Sequence, residues 1–270
     1  MKTPSLRYSK AKSQPGKTNC GFASILFILS AFSVFLLTGA CSKQKSDTLT
    51  LLSPLAVYSV NIPETSDLSF GSSADILYTV SDRTAKVYKI TTQGKVLSEL
   101  SYTGSDLEGV CYDGNKFLYV AEERMRKIIK LDLQGNQVGE KAIPVDINDE
   151  NQGLEGISFA TFNKHFYILN ETNPGLLIET DEYLNVLKSY PLSFASDYSG
   201  ICVDNENQQL WIVSDESASV TKCTIKGELI ESYRIPVSNP EGIAFNPDNN
   251  DLYVISDTEA RLYLFNINNQ

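Results

Sequence analysis

The residues of this 270-residue chain best suited to chemistry are carboxylates that recur at regular spacing. Glu108, Glu155 and Glu241 each precede a glycine, in Asp106-Leu107-Glu108-Gly109-Val110, Gly153-Leu154-Glu155-Gly156-Ile157 and Asn239-Pro240-Glu241-Gly242-Ile243. Two further copies, Asp67-Leu68-Ser69-Phe70 and Asp197-Tyr198-Ser199-Gly200-Ile201, place Ser69 and Ser199 where the others have glutamate. A second phrase follows each copy, as in Leu77-Tyr78-Thr79-Val80-Ser81-Asp82 and Leu252-Tyr253-Val254-Ile255-Ser256-Asp257. Its end supplies Asp82, Glu122, Asn170, Asp215 or Asp257, with Glu123, Glu171 and Glu216 alongside. Carboxylates crowded around one opening repel, so they protonate, find basic partners or bind a cation. Calcium takes six to eight oxygen ligands, carboxylates and amide carbonyls among them. Glu108, Glu155, Glu241, Asn170 and Asp215 offer that donor set and are the expected ligands of a calcium site. The competing reading is architectural: acids here would cap turns or accept backbone N–H bonds, and glycine would serve only a tight strand entry.

Repeated short strands must position these residues. The third residues of the first phrase stand at 69, 108, 155, 199 and 241, in steps of 39, 47, 44 and 42. Repeats of this length built from strands are the signature of β-propeller blades. The second copy shows the pattern: a strand over 109–112, a turn with Gly114, strands over 117–121 and 127–132, a turn at 134–136, and a strand over 137–143. The expectation is an all-β protein with five four-stranded blades over residues 55–270. The last copy ends one strand short, and Ala56 to Pro63 is the candidate to complete it, leaving no open sheet edge. A sixth blade would need a degenerate repeat for which the chain has no room. Pro144 to Gln152 reads as a long polar loop that accounts for the 47-residue step. Tyr78, Tyr119, Tyr167, Trp211 and Tyr253 recur at one point of the second strand and read as packing between blades.

Other routes to catalysis are thinly supplied. The single histidine, His165, opens a strand, and no Gly-x-Ser-x-Gly elbow is present. A calcium-dependent hydrolase acting on phosphoesters or lactones remains the alternative, because metal-activated water requires no histidine. Cys111 and Cys202 fall three residues after their repeat positions and Cys223 lies in a later strand. All three read as buried apolar residues in separate blades, without a disulfide framework.

The first twenty residues carry Lys2, Arg7, Lys10, Lys12 and Lys17 and no acid, and an uncharged, mostly apolar run follows from Phe22 to Leu37. That is the order of a secretory signal, and the run is short for a membrane span. It ends in Leu37-Thr38-Gly39-Ala40-Cys41, like a bacterial lipobox with Thr38 where leucine is commonest. Cleavage before Cys41 and its acylation are expected, residues 41–54 then being the lipidated cysteine and a polar tether. An uncleaved N-terminal anchor is the alternative. Both tether the globular part outside the cytoplasm, at the plasma or the outer membrane. Removing residues 1–40 leaves 18 Lys and Arg against 33 Asp and Glu, a balance of −15. Such a surface opposes nucleic acid and anionic lipid and suits a cation or a basic partner.

The ordered set of phrases resembles the SdiA-regulated family of bacterial envelope proteins. It runs through Asp106-Leu107-Glu108-Gly109-Val110, Val120-Ala121-Glu122-Glu123-Arg124, Gly153-Leu154-Glu155-Gly156, Asn170-Glu171, Ser199-Gly200, Ile212 to Ser217 and Pro240-Glu241-Gly242, and spans roughly residues 55–267. The resemblance implies a propeller at the cell envelope, linked to calcium and without an assigned reaction. The function expected is a lipid-anchored, non-catalytic binding module for an envelope protein or small ligand.

Overall fold

The computed structural model describes residues 49–144 and 153–268. The expected signal segment, Cys41, and the polar loop beyond Pro144 lie outside these residues. The described chain forms twenty-one strands in five sheets and no helix. Blade one holds β3 (Thr65–Phe70), β4 (Ile76–Ser81), β5 (Lys86–Thr91) and β6 (Val96–Thr103). Blade two holds β7 (Leu107–Tyr112), β8 (Phe117–Glu122), β9 (Lys127–Asp132) and β10 (Gln137–Ala142). Blade three holds β11 (Leu154–Ala160), β12 (His165–Asn170), β13 (Leu176–Thr180) and β14 (Val186–Pro191). Blade four holds β15 (Gly200–Asp204), β16 (Gln209–Ser214), β17 (Ser219–Thr224) and β18 (Leu229–Arg234). Blade five holds β19 (Pro240–Asn246), β20 (Asp251–Ser256) and β21 (Arg261–Asn266), with β2 (Ala56–Ser59) antiparallel to β21 as its fourth strand. The first strands of the five blades neighbour one another in order, and β19 returns to β3, giving a five-bladed β-propeller.

The core is five separate clusters, one between each pair of adjacent blades. Each contains one of the recurring aromatics: Tyr78, Tyr119, Tyr167, Trp211 and Tyr253. The alternation of the strands explains this, because period two sends every second side chain into the neighbouring blade. Cys111, Cys202 and Cys223 are buried free thiols in these clusters.

The propeller also extends into the segment expected to be tether. β1 (Thr50–Leu51) lies parallel to β18 as a fifth strand of blade four. Leu52 behind it is buried with Trp211 and Phe265 between blades four and five.

Near the axis the inner strands come into backbone contact. A Cβ on Gly109 would lie 2.3 Å from the Glu155 carbonyl oxygen, and one on Gly200 2.3 Å from that of Glu241. Glycine after Glu108 and after Ser199 is therefore required by strand-to-strand approach. Blade one solves the same problem differently. Leu68 opposite Thr79 matches Val110 opposite Val120. That register puts Ser66 at the glutamate position and Asp67 at the glycine position. Ser69 occupies the place of Cys111, three residues from where the phrase alone placed it.

An acidic cavity at the propeller mouth

Two local devices aim the acids. At the entry of β7, β11 and β19 the pairing register shifts, and Glu108, Glu155 and Glu241 fall within the irregularity; in β3 the shift skips Asp67, and Ser66 stays paired with Val80. A residue released from the ladder in this way has its side chain redirected, here toward the axis. Ser199 occupies the equivalent place immediately before β15. The second device is the turn between the second and third strands. The carbonyls of Asp82, Glu123, Asp215 and Asp257 each accept a bond from the N–H three residues on, at Ala85, Arg126, Ala218 and Ala260. Those four residues have positive φ, from 44° to 54°. The acid opening each turn faces the same mouth.

The result is a cavity of about 300 Å³ lined by ten carboxylates and by Ser66 and Ser199. No lysine, arginine or histidine lines it among the described residues. Asp82, Asp106 and Glu108 bring carboxylate oxygens within 4.8 Å of one another, and Glu123, Glu155 and Glu171 form a second such group. Arginines stay at the rim, where Arg83 pairs with Glu64 at 2.7 Å and Arg124 with Asp106 at 3.0 Å.

The electrostatics follow from burial and like charge. Burial pushes Glu108 well above the usual carboxylate range; Asp82, Glu241 and Glu123 add to this, while a hydrogen bond from Ser66 opposes it. Glu155 is raised by burial and then by Glu108, Glu123, Glu171 and Glu241. Burial and Asp215 push Glu241 up to about 8 against a hydrogen bond from Ser199. Burial and Asp106 push Glu123 up to about 7, although its carboxylate accepts the Gly153 N–H at 3.0 Å. Asp82, Glu171, Asp215 and Asp257 are raised too, each chiefly by burial. Beyond the Arg83–Glu64 and Arg124–Asp106 pairs at the rim, the negative charge of the site has no basic side chain against it among the described residues. Oxygen-rich donor groups at these separations fit a hard divalent cation such as calcium.

Of the five residues expected to be ligands, the structure brings Glu108, Glu155, Glu241 and Asp215 to this cavity. Asn170 does not line it. Its amide donates to the carbonyls of Thr172 and Pro174, at 3.1 and 2.8 Å, and Glu171 faces the cavity instead. Glu122 is likewise one residue early: it accepts from the Tyr102 hydroxyl and the Ser105 N–H and pairs with Lys127. Both occupy the strand-end position that Ser81, Ser214 and Ser256 fill in the other blades. The second ring is thus Asp82, Glu123, Glu171, Asp215 and Asp257, an acid in every blade. Counting two residues back from the glutamate position exposes a third set, Glu64, Asp106 and Asp197; Glu64 and Asp197 line the cavity, and Asp106 stands beside Asp82 and Glu108. His165 stands apart at the start of β12, its Nδ1 2.8 Å from Glu179.

A solved glutaminyl cyclase from Myxococcus xanthus superposes with a TM-score of 0.62 at 12% identity, covering 80% of this chain and 95% of that one. A luciferin-regenerating enzyme gives 0.50 at 14% identity, covering 79% and 94%. At such identities these likenesses speak to the fold alone. The model of the SdiA-regulated family matches residues 55–266, nearly all of the propeller, and the chain belongs to that family.

Proposed function

We propose that this protein is an envelope lipoprotein, acylated on Cys41, whose propeller is a calcium-linked, non-catalytic binding module. The observation that carries the calcium reading is the mouth itself: ten carboxylates share about 300 Å³ with no basic side chain lining it. Glu108 with Asp82 and Asp106, and Glu155 with Glu123 and Glu171, are the residues that would hold a cation. A bound cation would relieve the repulsion that raises their proton affinity. The ligand the module recognises is then an envelope protein or a small molecule that reads the cation-loaded mouth. The anchor reading rests on the basic, apolar and Gly39-Ala40-Cys41 order of the N-terminus.

Thermal melting in EDTA and in millimolar calcium tests the proposal. A ligand that binds only the folded state adds RT ln(1 + [L]/Kd), about 2.7 kcal/mol at a hundredfold excess over Kd. The expected outcome is a clear upward shift with calcium that disappears when Glu108, Glu155 and Glu241 are all changed to Gln. In EDTA the same triple variant should melt higher than the wild type, because three raised carboxylates no longer ionise against one another. A wild type indifferent to calcium would make the acidic mouth architectural.

A further inference from the structure

We propose that the propeller carries a second ligand site, at the end of its axis opposite the acidic mouth, for a small uncharged aromatic molecule bearing a carbonyl group. All five inner strands run from the mouth to this end. Their last residues and the turns that follow enclose a cavity of about 370 Å³, the size of a small-molecule pocket. No lysine, arginine, histidine, aspartate or glutamate lines it among the described residues. Charge is not scarce nearby: Asp75, Asp113, Lys116, Lys164, Glu206 and Asp248 stand in the five surrounding turns. Local bonds hold some of these acids in place. Asp75 accepts the Ser73 hydroxyl at 2.6 Å, and Asp113 accepts the N–H groups of Asn115, Lys116 and Phe117. One end of the axis thus concentrates charge and the other excludes it.

The walls suit a ring. Phe70, Tyr112, Phe159 and Phe245 line the cavity from four different blades. Each packs on a buried ring of the inter-blade clusters, with centroids 5.8 Å apart for Tyr253, 6.3 Å for Tyr78, 4.8 Å for Phe166 and 5.5 Å for Trp211. Rings held in this way lose little freedom when a ligand stacks on them. Blade one breaks the repeat at this end. Its turn, residues 71–75, is one residue longer than the four-residue turns of the other blades, and Gly71 to Ala74 all line the cavity. The polar lining sets the ligand's other group. Asn205 Oδ1 accepts the Thr161 N–H at 2.6 Å and the Thr161 hydroxyl at 2.9 Å, and the Ser158 hydroxyl accepts the Val203 N–H at 3.1 Å. The Asn205 amide N–H and the Ser158 O–H have no acceptor among the described residues, and a carbonyl oxygen would supply one. An ionised ligand would lose its hydration here and gain no countercharge.

The test titrates the full-length protein in detergent with three ligands of one shape, a naphthalene bearing a carboxamide, a carboxylate or a methylammonium group. The readout is the indole N–H resonance of Trp211, the single tryptophan of the chain, whose ring lies against Phe245. The carboxamide should bind about tenfold or more tightly than either ion, and equally in EDTA and in calcium. Asn205→Asp keeps an oxygen for both Thr161 bonds and adds a charge, so it should reverse the order in favour of the methylammonium compound. Ala74→Phe, at an exposed position on the edge of the cavity, should weaken carboxamide binding about tenfold and leave the melting temperature unchanged. A carboxamide that does not move the Trp211 resonance at its solubility limit overturns the proposal. So does a carboxamide affinity that neither substitution alters. Carboxamide binding that requires calcium would belong to the mouth; it would overturn this site and leave the calcium reading standing.

Discussion

Asp67 carries no exposure to solvent, yet it is a carboxylate. Its Oδ1 accepts the Leu68 N–H at 2.9 Å, and its Oδ2 accepts those of Val110 at 3.0 Å and Ile157 at 3.3 Å. One side chain thereby joins the inner strands of blades one, two and three. Burial drives its proton affinity well up, and the three amides oppose that. Asp67→Ala would leave the Val110 and Ile157 amides without an acceptor, at a cost of about 2–4 kcal/mol, and Asp67→Asn should cost less because one oxygen remains. Denaturant midpoints for the two variants check the order. The mouth acids set a pH dependence. Glu123 and Glu241 are pushed up to about 7 and about 8, from near 4.3 in an unfolded chain. A raised carboxylate binds its proton more tightly in the folded state, so its contribution is complete below about pH 4 and is lost as pH rises through 7–8. Without calcium the melting temperature should therefore fall between about pH 5 and pH 8. Calcium should abolish that fall, and its affinity should drop below pH 7, where protons compete for the same oxygens; melting curves across pH, with calcium and with EDTA, read both effects.

At the scale of the strand, the entries of β7, β11 and β19 each perform two tasks. The irregular register turns one side chain toward the mouth, and the following glycine lets neighbouring backbones touch. The two tasks separate experimentally. Gly200→Ala sets a Cβ 2.3 Å from the Glu241 carbonyl oxygen, and backbone cannot move aside cheaply, so a loss of about 2–3 kcal/mol is expected. Gly139→Ala, in an outer strand, meets its nearest neighbour, the Lys130 Cβ, at 3.9 Å and should change stability by less than about 0.5 kcal/mol. Equal losses in urea melts of the two variants would remove close approach as the reason for the inner glycines.

For the whole molecule, the ring is held by five inter-blade clusters and by the N-terminal segment on its rim. Leu52 anchors that segment between blades four and five. Leu52→Ala should cost about 2–5 kcal/mol, and in a domain of this size each kcal/mol lowers the melting temperature by roughly 2–4 °C. A melt indistinguishable from wild type would mean that the segment rides on the ring without supporting it.

The sequence by itself determined the all-β class, the five repeats and the family. Each blade must bury the same face of the same strands, so its apolar period and its aromatic recur legibly. The sequence also exposed Glu108, Glu155, Glu241 and Asp215 as residues of one mouth, because their blades keep both the phrase and the acid. Tertiary structure decided the rest. Asp67-Leu68-Ser69 imitates the Asp-Leu-Glu of blade two, and only the strand pairing shows that Ser66 and Asp67 hold the equivalent places. Glu122 and Asn170 looked like ring members because they end their strands with oxygen-bearing side chains. The turn shows instead that the ring position is the next residue, Glu123 or Glu171. Thr50 to Leu52 looked like linker because two strand residues carry no readable period, and a parallel neighbour in another blade made them part of the fold. Periodicity records what each residue buries along its own strand. Which residue of a phrase meets which in space is set by pairing between strands, and a shift of one position turns a side chain from the mouth into the sheet.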